Sequence, residues 1–248
     1  MKQKFSVLIA IVKFIAKFLK STKLIQAMSV LISMCLYSVT FGIKFALLLI
    51  SAIFFHELGH CLVARRWIKI HGIYLIPFVG GVAIPEEDFP HSWSHAMTAL
   101  GGPFIGLLMT IILFVLGLAY NNTLLLVSTS WVALMNLFNL LPIYPMDGGR
   151  VLYALCQTRS SSGLILTLIF SIILASVIMI YFKLYILGLI LFISFLELLL
   201  GEKKPSYMTR TQFTVSLFGY LALIGLFIYI LYTLSHIPGA FDFEILYD

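Results

Sequence analysis

Residues 54–66 read Phe54-Phe55-His56-Glu57-Leu58-Gly59-His60-Cys61-Leu62-Val63-Ala64-Arg65-Arg66 and close an apolar run that begins near Phe45. The run is about 20 residues long, enough to cross a bilayer as a helix. Two arginines end it, as bases end spans at the membrane surface. His56 and His60 stand four residues apart, so on a helix both imidazoles lie on one face and reach one metal ion. Glu57 between them is placed to act as a base on a water held by that ion. Three ionisable groups within five residues of a membrane span are costly to bury, and such groups mark function by default. At 1.5 Å rise per residue, a metal on this pair sits about 7–13 Å inside the surface marked by Arg65.

The rest of the chain agrees with a membrane setting. Of its 248 residues 61% are hydrophobic and 10% charged, and the mean hydropathy is +1.07. A soluble domain of this size cannot hide so much apolar surface. The formal net charge of +6 comes from bases that flank apolar runs, so it reads as topology and contact with anionic lipid, not as a nucleic-acid surface. Cys35, Cys61 and Cys156 are scattered and odd in number. They form no disulfide framework or zinc knuckle and are expected to be packing residues.

Seven runs are long enough to span, near 24–43, 45–64, 96–119, 123–141, 164–182, 184–200 and 213–235. Ahead of them, Lys2, Lys13, Lys17 and Lys20 fall on one helical face, with Lys23 adjacent. Residues 1–23 are therefore expected to form a basic amphipathic helix on the membrane surface. With the N-terminus in the cytoplasm, that side receives Lys2, Lys4, Lys13, Lys17, Lys20, Lys23, Arg65, Arg66, Lys69, Arg150, Arg159, Lys203, Lys204 and Arg210. Only Lys44 and Lys183 fall outside. This bias puts the HELGH end of the second span near the cytoplasmic face. Residues 71–90, HGIYLIPFVGGVAIPEEDFP, fit no helix. Pro77, Pro85, Pro90 and Gly80-Gly81 interrupt them, and Tyr74–Val79 and Val82–Ile84 are expected as short strands about a Gly-Gly turn. The expected fold is thus an all-α polytopic membrane protein of about seven transmembrane helices, with a small membrane-embedded β-hairpin or loop after the HELGH helix. The transmembrane domain covers 24–235, its catalytic core about 45–155, and 236–248 form a short acidic tail.

Two histidines leave a third ligand to find among His71, His91, His95, Glu86, Glu87, Asp88, Asp147 and Glu197. Asp147 is favoured. It follows the fourth span in Asn139-Leu140-Leu141-Pro142-Ile143-Tyr144-Pro145-Met146-Asp147-Gly148-Gly149, where two prolines unwind the chain and two glycines allow a close turn. Imidazoles with a carboxylate suit Zn2+ best. His71, His91, His95 and His236 read as interface residues, and Glu86, Glu87 and Asp88 as a solvated turn. Glu197, near the end of the sixth span, reads as snorkelling or pairing with Lys203 or Lys204.

HELGH in one span, with NLLPxxPxDGG closing another, resembles the site-2 protease family of intramembrane zinc metallopeptidases, family M50. Phe78-Val79-Gly80-Gly81 resembles the family's membrane-embedded strand region, and Leu100-Gly101-Gly102-Pro103 its AGP-type motif, with Gly in place of Ala at 101. The pattern over about 45–155, continuing to Phe195-Leu196-Glu197, most resembles the bacterial branch that processes sporulation sigma factors. The resemblance implies His56, His60 and Asp147 as zinc ligands, Glu57 as catalytic base, Asn139 as a holder of substrate or oxyanion, and Gly80 and Gly81 beside the substrate. It further implies a multi-pass protein of a bacterial cell membrane. The implied partners are a transmembrane protein or peptide substrate, the lipid bilayer and a regulatory membrane protein, with no nucleic acid. Two rival readings, a membrane metal transporter and a catalytically silent membrane-binding relative, fit less well. Polar groups collect at one end of the spans, and a binder has no need of Glu57.

Overall fold

The computed structural model describes residues 22–76, 80–85, 89–157, 169–174, 176–177, 180–181 and 207–246. Most of the expected surface helix at 1–23 lies outside them. So do most of the span at 164–182, all of that at 184–200, Glu86, Glu87, Asp88 and Glu197. The described chain is mostly helical. In order it forms α1 (Thr22–Phe41), α2 (Ile43–Ala64), β1 (Ile70–Ile76), β2 (Gly80–Pro85), α3 (Ser92–Ala119), α4 (Thr123–Asn139), α5 (Asp147–Gln157) and α6 (Arg210–Ser235), followed by a 3-10 turn at Phe243–Leu246.

Among the described residues four helices are long and apolar enough to cross a membrane: Lys23–Phe41, Ile43–Ala64, Ser92–Ala119 and Arg210–Ser235. Their outward faces carry large apolar side chains, Val39 at 83%, Ile112 at 58% and Phe218 at 73% exposure. Water would solvate such faces poorly, and lipid tails suit them. α4 is apolar but stops after 17 residues, two short of expectation, because Pro142 and Pro145 prevent the helix from continuing. α3 begins at Ser92, four residues earlier than its apolar run predicts. His91 caps it, its Nδ1 accepting the Ser94 N–H at 3.1 Å. Asn122 caps α4 in the same way through Leu125 N–H at 3.1 Å.

The main core gathers Ala99, Leu100 and Leu107 of α3, Leu126 and Ala133 of α4, Val151 and Leu155 of α5, and Leu223, Phe227 and Leu234 of α6. α1 packs separately, Tyr37 meeting Ala46 and Ile50 of α2 and Leu75 of β1. Gly42, at φ 87°, is the single residue between α1 and α2, a conformation glycine adopts without strain. At the far end, Leu246 is buried with Phe45 of α2 and Val127 of α4. There Ser130 donates to the Ala240 carbonyl at 2.6 Å, and the Phe243 ring lies 5.8 Å from Trp131.

β1 and β2 pair antiparallel, from Ile76 opposite Gly80 to Ile70 opposite Pro85, with an irregularity between Ile70 and Gly72. Gly80 and Gly81 therefore lie within β2 and do not form the turn expected of them. The Leu75 N–H points away from β2 and donates to Ser29 Oγ of α1 at 3.1 Å. In an antiparallel ladder, a residue whose N–H points outward faces a partner whose polar groups point outward too. Gly81, opposite Leu75, and Ala83, two residues on, thus present their N–H and C=O groups to the outer edge of β2, which pairs with no other strand among the described residues.

Candidate metal centre

α2 presents His56, Glu57 and His60 inward, at 4%, 8% and 7% exposure, and their ligand atoms all lie within 4.8 Å of one another. The Nε2 atoms of the two histidines are 3.1 Å apart. Asp147, the first residue of α5, brings Oδ2 to 2.9 Å from His56 Nε2 and Oδ1 to 3.3 Å from His60 Nε2. Asp147 is buried, at 6% exposure, against both imidazoles. Its place at the start of a helix, where the dipole favours negative charge, suits an anionic donor.

The other ring nitrogens decide the tautomers. His60 Nδ1 lies 2.7 Å from the Thr98 carbonyl of α3 and 3.2 Å from the Gly102 N–H; the shorter contact, to an atom that can only accept, assigns the proton to Nδ1. His56 Nδ1 lies 2.9 Å from Asn136 Oδ1, and that amide is oriented by its own Nδ2 donating to the Val132 carbonyl at 2.9 Å. His56 Nδ1 is therefore a donor as well. Both Nε2 lone pairs are left facing each other and a carboxylate. A buried cluster of acceptors of this kind needs a positive charge between them, supplied by a metal ion or a bound proton. Three donors about 2.0–2.1 Å from a tetrahedral zinc ion would stand about 3.3 Å apart. The two Nε2 atoms are 3.1 Å apart and each has one carboxylate oxygen of Asp147 near it, Oδ2 at 2.9 Å from His56 and Oδ1 at 3.3 Å from His60, spacings close to those such an ion requires. The hydrogen bonds to Asn136 and Thr98 are of the kind that orient metal-binding imidazoles.

Close backbone approach makes the pocket. A Cβ on Gly102 would collide with His60 Nε2 and come within 2.9 Å of His56 Nε2. A Cβ on Gly106 would collide with the Asn136 amide. Pro103 has no N–H and so leaves the Ala99 carbonyl without its helical partner, while the preceding carbonyl, of Thr98, is taken by His60. A Cβ on Gly81 would collide with Glu57 Cγ, so β2 passes in contact with the side chain between the two histidines. This close contact explains why the Gly-Gly pair sits in a strand. The loop that delivers Asp147 is pinned by Tyr220 of α6, whose hydroxyl donates to the Leu140 carbonyl at 2.8 Å, and by Ser171, which donates to the Pro142 carbonyl at 2.9 Å.

The structure thus brings together His56, Glu57, His60, Asp147 and Gly81. Asn139 is the half-buried last residue of α4, one turn beyond Asn136, and Asn136 makes the contact to His56. Sequence reasoning missed Asn136 and the Thr98 carbonyl. An amide within an apolar helix was the available signal for the first, and nothing in a sequence marks the second. Of the other histidines, His91 is a helix cap, and His95 lies between Phe89 and Tyr153, with ring centroids at 5.2 and 6.2 Å. His236 ends α6 against Tyr232.

Comparison with known proteins agrees with this geometry. Residues 44–126 match the description of Peptidase family M50. The chain is 35% identical over 132 residues to a zinc metalloprotease of Methanocaldococcus jannaschii, covering 49% of this chain and 37% of that protein. It is 35% identical over 117 residues to a Synechocystis protein provisionally described as a zinc metalloprotease, covering 45% of this chain and 31% of that one. The match thus spans about a third of the length of each relative. From α2 to the first turn of α4, the chain is similar to peptidase family M50, and over a comparable stretch to zinc metalloproteases.

Proposed function

We propose that this chain is an intramembrane zinc metalloprotease that hydrolyses peptide bonds in or near the transmembrane segments of its substrates. One observation carries the reading: the convergence of His56, His60 and Asp147 on one point, with both imidazoles held by Asn136 and Thr98 and Glu57 alongside. Asp147 is assigned as the third ligand because it lies against both Nε2 atoms, which leaves Glu57 free as a base.

Bound there, a zinc ion would acidify a water molecule and polarise the scissile carbonyl. Glu57 takes the proton of the attacking water and returns it to the leaving amine, which leaves neutral as the C–N bond breaks. Asn139 holds the substrate backbone or its carbonyl oxygen. The outer edge of β2 supplies a template. The outward groups of Gly81 and Ala83 pair with a locally unwound substrate strand and lay it past Glu57. The absence of a side chain at Gly81 is what allows that approach.

The finer reading has the N-terminus in the cytoplasm, about seven spans, and the site near the cytoplasmic face. It is supported by the distribution of Lys and Arg. The motif pattern supports a place in the branch that processes sporulation sigma factors. The substrate is then a membrane-anchored regulator or a small peptide precursor, with a regulatory membrane partner.

The test compares membrane fractions of cells carrying the wild-type chain or Glu57→Gln by quantitative mass spectrometry. An intact transmembrane precursor should accumulate in the variant and its cleaved form disappear. If the precursor pool does not change while the variant is expressed and zinc-loaded, the reading fails. Metal flux into sealed vesicles that survives Glu57→Gln would then favour a transporter.

A further inference from the structure

On the face of α2 turned away from the histidines, Leu58, Cys61, Leu62 and Arg65 follow one another at helical spacing. The chain then turns into β1, and Ile68, Lys69 and Ile70 come back beside this stripe. Together they line a groove of about 460 Å³. Its floor is aliphatic, and among the described residues its rim holds two bases and no acid. Arg65 and Lys69 are exposed, and among the described residues neither has an acidic partner.

An aliphatic floor under two exposed cations, at the end of a membrane-spanning helix, matches one ligand chemistry: an anion with a hydrocarbon chain attached. We propose that this groove is a binding site for one anionic phospholipid. Its phosphate sits between the Arg65 guanidinium and the Lys69 ammonium, and an acyl chain runs along Leu58 and Leu62. Guanidinium forks and ammonium groups are both strong phosphate partners. A nucleic acid or acidic peptide would use the bases but leave the aliphatic floor unmatched. A lipid here bears on the helix that carries His56, Glu57 and His60, and on the first residue of β1. It therefore sets how deep the HELGH turn and the strand edge lie. The proposal rests on the membrane placement of α2 and not on the protease reading, so it stands or falls separately.

The experiment is native mass spectrometry of the full chain in detergent, titrated with phosphatidylglycerol, phosphatidylcholine or inorganic phosphate. The wild-type chain should retain one phosphatidylglycerol in preference to phosphatidylcholine, and inorganic phosphate should not displace it. The double variant Arg65→Gln/Lys69→Gln should bind it about 30-fold more weakly, from about 1 kcal/mol for each base lost. Arg66→Gln, which removes a neighbouring base outside the groove, should bind as wild type does. Circular dichroism melting of each variant controls for folding. Equal retention of the two lipids, unchanged binding in the double variant, an equal loss in Arg66→Gln, or displacement by phosphate alone would overturn the proposal.

Discussion

Replacing Asn136 with alanine tests the metal centre through a residue that does not touch the metal. In the structure Asn136 is fully buried and accepts the Nδ1–H of His56, itself 4% exposed, at 2.9 Å. Alanine removes the acceptor, and no water replaces it readily at that depth. A buried donor left without a partner costs about 1–3 kcal/mol. Loss of an orienting partner of a metal-binding imidazole typically lowers metal affinity about 10–100-fold, or about 1.4–2.7 kcal/mol. The two estimates agree. The second bond of Asn136, to the Val132 carbonyl, adds little, because that carbonyl keeps its helical N–H partner. Asn136→Ala should therefore raise the zinc Kd about 10–100-fold in a chelator competition run in detergent. Asn136→Asp, which keeps an acceptor at the same place, should retain affinity at least equal to wild type. A zinc Kd within twofold of wild type in Asn136→Ala would refute the account of how His56 is held.

Three further outcomes are expected. Asp147→Ala should leave the purified protein largely free of zinc by elemental analysis, and full occupancy would point to a different third ligand. Gly102→Ala places a methyl against both Nε2 atoms, so zinc content should fall or the melting temperature drop by the equivalent of about 1–3 kcal/mol. Full zinc with an unchanged melting temperature would show that the helix yields there. Ala83→Pro removes an N–H from the outer edge of β2 while sparing the Tyr74–Val82 pair, so turnover should fall with zinc retained. Turnover equal to wild type would count against strand addition.

The HELGH helix was legible because two signals coincide in it. Apolar length gives a span, and the cost of burying His56, Glu57 and His60 gives a reason for them. Asp147 is favoured for its place between two prolines and two glycines, signals that alone fit an exposed capping aspartate equally well; the resemblance of NLLPxxPxDGG to a known motif implies its role. Asn136 was not legible, although it lies one turn from Asn139. An amide in Leu134-Met135-Asn136-Leu137 reads as a packing residue until the helix is placed against a histidine 80 positions away. The Thr98 carbonyl is backbone and has no residue signature. The strand register was misjudged for a physical reason: Gly-Gly is a turn signal by its backbone freedom, but Gly81 is needed for its missing side chain. The early start of α3 escaped notice because histidine is not among the residues usually favoured as an N-cap.

The segment after α6 folds back over the start of α2, with Leu246 beneath Phe45, whereas the metal centre lies eleven residues further along the same helix, about 16 Å away. The exposed side chain of Asp242 is thus a natural reporter on the opposite end of the bundle. A cysteine placed there and probed with an impermeant thiol reagent in intact cells would reveal the side on which the tail emerges. The scissile chemistry would be assigned to the other side, with no need to label the catalytic helix.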